Sequence, residues 1–305
     1  MLNCKSIINE VEFSYLTRRS DKEFKLTLLR ERLLKIPEYK ETAEKLSTAI
    51  FDCNKSEFDQ DYEKARALKA EIKRLKEIKL KIEKENGADI YLPDCEICND
   101  YGEVDGEKCQ CFYDKTIDAC YAELSVTKPS LFSFNDDKLP QGSQIKKYYE
   151  KFKKYAENFS SASLNVVFTG KTGTGKTCLG QAVANDIAKR KNVALFLSAS
   201  SLVDVYVENM YSSPASAKIT NDVLETCDFL VIDDLGAERL LNKVTVENLY
   251  VLISRRLELK KPFLITTNLT MQELNARYGD RLFSRITSNN TVTFNFDGDD
   301  LRKKL

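Results

Sequence analysis

Asn165-Val166-Val167-Phe168-Thr169-Gly170-Lys171-Thr172-Gly173-Thr174-Gly175-Lys176-Thr177 is the stretch that decides the fold. Five β-prone residues lead into G-x-x-x-x-G-K-T, and residues 178–189 continue with helical character. Strand, glycine-rich loop and helix in that order make a phosphate-binding loop. The glycines admit positive φ and remove side chains, so successive backbone N–H groups can face phosphate oxygens. The positive end of the following helix adds to the field. In this pattern Lys176 reaches the β- and γ-phosphates and the Thr177 hydroxyl ligates Mg²⁺. A chance glycine-rich turn is disfavoured because motif and context agree.

Downstream, residues 228–232 read as a strand whose apolar residues run into Asp233-Asp234. A carboxylate at the C-terminal end of a parallel strand faces the first strand's loop, the Walker-B arrangement. Asp233 is expected in the Mg²⁺ shell, and Asp234 is expected to orient or deprotonate the attacking water. A third strand, residues 263–267, ends in Asn268, which can hydrogen-bond that water or the γ-phosphate; a turn-capping Asn is the competing reading. Arg281 and Arg285 lie four apart, on one helix face, where a guanidinium can enter a neighbouring subunit's site; a surface ion pair is the bland alternative. Asn242-Lys243-Val244-Thr245 lacks the Asp of a guanine-reading N-K-x-D motif, which favours ATP over GTP.

Composition narrows the chemistry. The 305 residues carry 47 basic and 47 acidic side chains, no His, no Trp and 9 Cys. Without His there is no Ser-His-Asp machinery and no imidazole base, so a carboxylate is the natural proton acceptor. Zero net charge argues against a polybasic coat, and any nucleic-acid contact would be local. No apolar run approaches a membrane span, and the start shows no signal-peptide pattern, so the chain reads as soluble and cytoplasmic. In that reducing setting, clustered Cys point to metal before disulfides.

The N-terminal third is organised differently. Residues 23–36 and 38–51 read as helices split by Pro37. Ala65, Leu68, Ile72, Leu75 and Ile82 recur at three- and four-residue steps, a coiled-coil-like seam closed by Asn86-Gly87. Cys95-x-x-Cys98 and Cys109-x-Cys111 flank a Gly-containing hairpin, the composition of a zinc knuckle. The one-residue gap of the second pair leaves Cys120 as a substitute for Cys109 or Cys111. An iron–sulfur cluster takes similar ligands and stays open. Cys4, Cys53, Cys178 and Cys227 read as packing residues. The divisions expected are a helical partner-binding region (1–88), a cysteine-rich segment (89–125) and an ATPase domain (126–305).

In combination, residues 170–177, Val231-Ile232-Asp233-Asp234-Leu235-Gly236, residues 265–269 and Asp280-Arg281-Leu282-Phe283-Ser284-Arg285 resemble AAA+ ATPases of the DnaC/DnaI type. These are bacterial and phage loaders of the replicative helicase, related to the initiator DnaA and to transposition helpers of the IstB type. Residues 294–302 also resemble the family's ending. The resemblance implies an α/β AAA+ parallel sheet flanked by helices, with Asn268 as sensor 1 and Arg285 as an arginine finger acting in trans, Arg281 second. It implies ATP, Mg²⁺ and Zn²⁺ as cofactors, self-association, and a hexameric replicative DNA helicase as partner. The family's N-terminal zinc region includes a His, which this chain must replace with Cys. Residues 200–211 match the insert that touches single-stranded DNA, yet they carry Asp204 and Glu208 and no Lys or Arg, so a packed helix is the favoured reading. The few residues after the last strand, 291–296, leave no room for a C-terminal lid, and weak, partner-dependent ATPase turnover is expected. The leading function is an ATP-dependent helicase loader. An IstB-like transposition helper and a nucleotide-switched adaptor are the alternatives.

Overall fold

The computed structural model describes residues 4–87, 93–136, 144–241 and 244–298. The expected boundary at 88/89, part of the Asn242–Thr245 stretch and the ending at 299–302 lie outside them. Two compact units form: residues 14–101, and residues 102–305 together with 1–13.

The first unit is built from helices α1 (Lys5–Leu34, whose first residues belong to the other unit), α2 (Pro37–Phe58) and α3 (Tyr62–Glu85). Pro37 occupies the first turn of α2, where its missing N–H costs nothing. Asp61 caps α3 by accepting from the Lys64 N–H at 3.1 Å. The seam read from the sequence is the face that packs. Ile82 joins Leu29, Leu33 and Tyr39 in one cluster, and Leu75 joins Leu46 and Ala49 in another, with Leu68 and Ile72 alongside. The first helix runs further in both sequence and space than the expected 23–36, because no Pro or Gly interrupts residues 5–34.

The second unit begins its own elements with the hairpin β1 (Glu103–Val104) and β2 (Glu107–Lys108), followed by α4 (Gln110–Glu123) and α5 (Gln144–Glu157). The elements of the main sheet follow: β3 (Asn165–Gly170), α6 (Lys176–Ala188), β4 (Ala194–Ser198), α7 (Ala199–Tyr211), α8 (Pro214–Thr226) and β5 (Phe229–Asp233). They end with α9 (Val244–Glu258), β6 (Phe263–Thr266), α10 (Met271–Ile286) and β7 (Thr291–Phe296). Strands β3 to β7 form one parallel sheet in the order β4-β5-β6-β3-β7, flanked by helices as expected. Every residue of β5 and β6 is buried, as a sheet covered on both faces requires.

The strand order positions the chemistry. Inserting β6 between β5 and β3 brings the C-terminal ends of the three site-bearing strands side by side. Beneath them, Phe152 meets Phe168 edge-on at 4.8 Å, and Phe168 meets Phe296 at 4.8 Å. Each such pair adds about 0.5–1.5 kcal/mol beyond its buried area and pins β3 to α5 and β7. Among the described residues no helix is long and apolar enough to cross a membrane.

Candidate nucleotide site and cysteine cluster

Backbone geometry builds the phosphate loop. Gly170 has φ +130°, and a Cβ there would stand 2.2 Å from the Phe296 carbonyl oxygen of the neighbouring strand, so only glycine fits. Gly173 and Gly175 also take positive φ, and Gly175 is the residue that starts α6. Thr174 closes the loop by donating its hydroxyl to the Lys171 carbonyl at 2.9 Å, whereas Lys171 and Thr172 are exposed.

Lys176 is buried at the start of α6. Its ammonium donates to the Gly170 and Lys171 carbonyls at 2.6 and 2.7 Å and to Asn268 Oδ1 at 2.9 Å. Burial lowers its pKa below the usual lysine value, with the carboxylates of Asp234 and Asp233 acting in the opposite sense. Asn268 completes a bridge, since its Nδ2 donates to Asp234 Oδ1 at 2.6 Å. The ends of all three strands are thereby joined in one hydrogen-bonded chain, Lys176–Asn268–Asp234.

Asp233 is 8 % exposed, and burial raises its pKa against hydrogen bonds from Thr266 and Thr177. The Thr266 hydroxyl donates to Asp233 Oδ1 at 2.7 Å and accepts the Asp234 N–H at 2.9 Å. One buried side chain therefore orients the first carboxylate and the backbone of the second. Asp234 needs that support, because its φ of 56° is left-handed. The sequence reading passed over Thr266. Its only local signal was a hydroxyl at an otherwise apolar strand end.

Thr177 and Asp233 meet as a hydroxyl–carboxylate pair beside the loop, an oxygen donor set suited to Mg²⁺. Arg281 and Arg285 do share a face. They lie over the ring of Tyr250 on α9, 4.6 and 5.9 Å from its centroid, and hydrogen bonds from Arg285 and then Arg281 lower the phenol's pKa to about 8. Among the described residues neither guanidinium bonds to the phosphate loop or to the two aspartates. Tyr250 is a second residue the sequence reading missed. Residues 200–211 form the amphipathic helix α7, with Leu202, Val203, Val205 and Tyr206 buried and Met210 and Tyr211 exposed.

Cys95, Cys98, Cys109 and Cys111 bring their sulfurs within 4.8 Å of one another. Loop chemistry achieves this over a short run of chain. Asp100 accepts the N–H groups of Asp94 and Cys95 at 3.1 and 3.0 Å. Asp105 and Gly106 both take positive φ and turn the β1–β2 hairpin, and the Cys109 N–H returns to the Gly102 carbonyl at 2.9 Å. Cys109 then caps α4, placing Cys111 in its first turn. Tetrahedral thiolates about 2.3 Å from one ion fit within this spread of sulfurs. Cys120 stands elsewhere, fully buried on α4 with its thiol against that of Cys4. It stands outside the four-sulfur group, nine residues beyond Cys111 on the same helix, and so does not take the place of Cys109 or Cys111 there.

The replicative helicase loader DnaC of Escherichia coli (strain K12) is 27 % identical over 157 residues, 51 % of this chain and 63 % of that protein. The loader DnaC of Buchnera aphidicola subsp. Acyrthosiphon pisum is 26 % identical over 175 residues, 56 % and 69 % of the two chains. The chain thus spans less than two thirds of the E. coli relative. A crystal structure of the DnaC helicase loader superposes with TM-score 0.47 at 22 % identity, covering 54 % of this chain and 96 % of that one. Residues 151–304, from α5 through β7, match the model of the IstB-like ATP binding protein family. With half its length in that match, the chain belongs to the IstB-like ATP binding protein family.

Proposed function

We propose that this protein is an ATP-hydrolysing loader that binds a replicative DNA helicase and helps place it on single-stranded DNA. The observation that carries the ATPase reading is the Lys176–Asn268–Asp234 chain at the adjoining ends of β3, β6 and β5. ATP entering the loop displaces the carbonyls that now hold Lys176, and its ammonium turns to the β- and γ-phosphates. Thr177 and Asp233 would hold Mg²⁺, which when bound neutralises charge on those phosphate oxygens. Asn268, released from Lys176, keeps its Nδ2 on Asp234 and so aims that carboxylate at the attacking water. Asp234 accepts the water's proton. Arg285, with Arg281 beside it, leaves Tyr250 to stabilise transferred charge in a neighbouring copy.

The loader reading, as against ATP hydrolysis alone, is supported by relatives named replicative helicase loaders and by the N-terminal equipment. The cysteine cluster is read as structural zinc held by Cys95, Cys98, Cys109 and Cys111, with the α1–α3 helices as the partner-binding region. An IstB-like transposition helper is favoured by the family match across 151–304. Affinity capture from the host separates them: the loader reading expects a hexameric replicative helicase, and recovery of a transposase in its place overturns it. Lys176→Ala tests the adaptor reading, since a variant that still loads helicase would make hydrolysis dispensable.

A further inference from the structure

Only two carboxylates are buried among the described residues. Asp233 belongs to the nucleotide site; the other, Glu238, is 2 % exposed and lies five residues further on. Its Oε2 accepts the Gly236 N–H at 2.7 Å, and its Oε1 accepts the Tyr278 hydroxyl and, at 3.4 Å, Arg277 Nη2. Arg277 Nη2 also donates to the Glu238 backbone carbonyl at 2.7 Å. A carboxylate is buried at this depth only when paired and hydrogen-bonded on most of its lone pairs, and here both conditions hold.

What the latch connects gives it meaning. On one side, the loop after Asp234 is pressed against the Asn268-Leu269 turn. Gly236 has φ +114°, and a Cβ there would stand 2.7 Å from Leu269 Cδ1. On the other side, Arg277 and Tyr278 are the last residues of α10 before it breaks. Gly279 is non-helical (φ 78°, ψ 162°) inside α10, and a Cβ there would meet nothing within 4 Å. Glycine is needed there for its backbone freedom, as at a hinge. Asn275 Nδ2 spans the break to Asp280 Oδ1 at 3.1 Å, and beyond it come Arg281 and Arg285.

We propose that Glu238 is a positioning residue: it fixes the Asp234 loop to Arg277 and Tyr278, and so sets where the Arg281/Arg285 arm beyond Gly279 stands for a neighbouring copy's nucleotide. This rests on the trans-acting arginine reading above. The Glu238 carboxylate is bonded to Gly236, Arg277 and Tyr278, and acts through the hinge. It makes the state of a protomer's own Walker-B loop available to the next protomer's site.

Glu238→Gln keeps the volume and removes the charge that Arg277 pairs with. The full chain carrying it should bind ATP with KM within about twofold of the parent while kcat falls roughly tenfold, the cost of misplacing a group by a fraction of an ångström to an ångström. The deciding measurement is a mixing experiment in ATP hydrolysis. Asp234→Asn protomers, silent in their own sites, still present a well-placed arm. Mixed with Glu238→Gln protomers they should raise the rate per Glu238→Gln protomer at least about threefold, as an arginine finger supplied in trans does. The double variant Arg281→Ala/Arg285→Ala serves as control in the same mixture. Rescue of the control but of neither Glu238→Gln nor the milder Tyr278→Phe overturns the positioning role and leaves the trans reading standing. Failure of the control itself overturns the trans reading, and the positioning role with it. Tyr278→Phe keeps the test decisive if the Gln variant does not fold, because it removes one donor and leaves the carboxylate in place.

Discussion

The nucleotide site and the cysteine cluster are two four-residue constellations held by different physics. Lys176, Asp233, Asp234 and Asn268 lie at the ends of three adjacent strands whose side chains are nearly all buried, so the hydrophobic core holds their spacing. Cys95 and Cys98 lie in turns, and Cys109 and Cys111 sit at the start of α4, just after a hairpin whose two-residue strands are exposed or half-buried. The first site is preorganised before any ligand arrives. The second has side-chain and backbone hydrogen bonds for support, and in the structural-zinc reading the ion adds to them. Deep burial and loop chemistry therefore give the two sites opposite dependences on what they bind.

Removing a group from the preorganised site should cost function and spare the fold. Asp234→Asn is expected to lower ATP turnover by about 10²–10⁴ with ATP still bound, the range for a lost general base, measured by phosphate release. Lys176→Ala should lower kcat/KM by roughly 10²–10³ and leave the far-ultraviolet circular dichroism unchanged. Unfolding in either variant would mean that the site is part of the core after all.

The cluster should respond the other way. One equivalent of zinc by elemental analysis is expected for the intact chain and none for Cys98→Ser. A chelator should loosen hydrogen-exchange protection across 95–111 while protection of β3, β5 and β6 is retained. Retained protection of 95–111 without metal would remove the contrast between the two sites.

Finer tests remain within the sheet. Thr266→Val leaves both the Asp233 carboxylate and the Asp234 N–H short of a partner and should cost about 1–3 kcal/mol in denaturant unfolding. Asp233→Asn should do the reverse. Burial raises this carboxylate's folded pKa above its unfolded value, so the folded state favours the proton, and stability is lost as pH rises through the raised pKa. At neutral pH the unliganded Asn variant should therefore melt roughly 2–4 °C higher while losing Mg²⁺-dependent nucleotide binding. A lower melting temperature would show that Asp233 is stabilised by its two threonines more than it is penalised by burial.

Much of the sheet was legible because its signals are local. Glycines at the loop, apolar runs ending in acids and the final strand at 291–296 each carry their own punctuation, and the strands appear where those signals place them. The seam on α3 was legible for the same reason, since periodicity is written along one helix. Thr266, Tyr250 and Glu238 were not. Each acquires meaning from a partner far away in sequence: Asp233 for the first, Arg281 for the second, Tyr278 for the third.

The sequence by itself determined an ATP-binding α/β sheet with its loop, its two aspartates and an all-Cys cluster in a chain without His. Those conclusions needed only residue type, spacing and the absence of an imidazole. The tertiary structure alone decided that Cys120 stands apart from the cluster, that Thr266 orients both aspartates, and that a buried glutamate clamps the Walker-B loop to the arginine-bearing helix. Strand order is the physical reason. It brings together residues that are 33 to 92 positions apart, and no local pattern records which ends will meet.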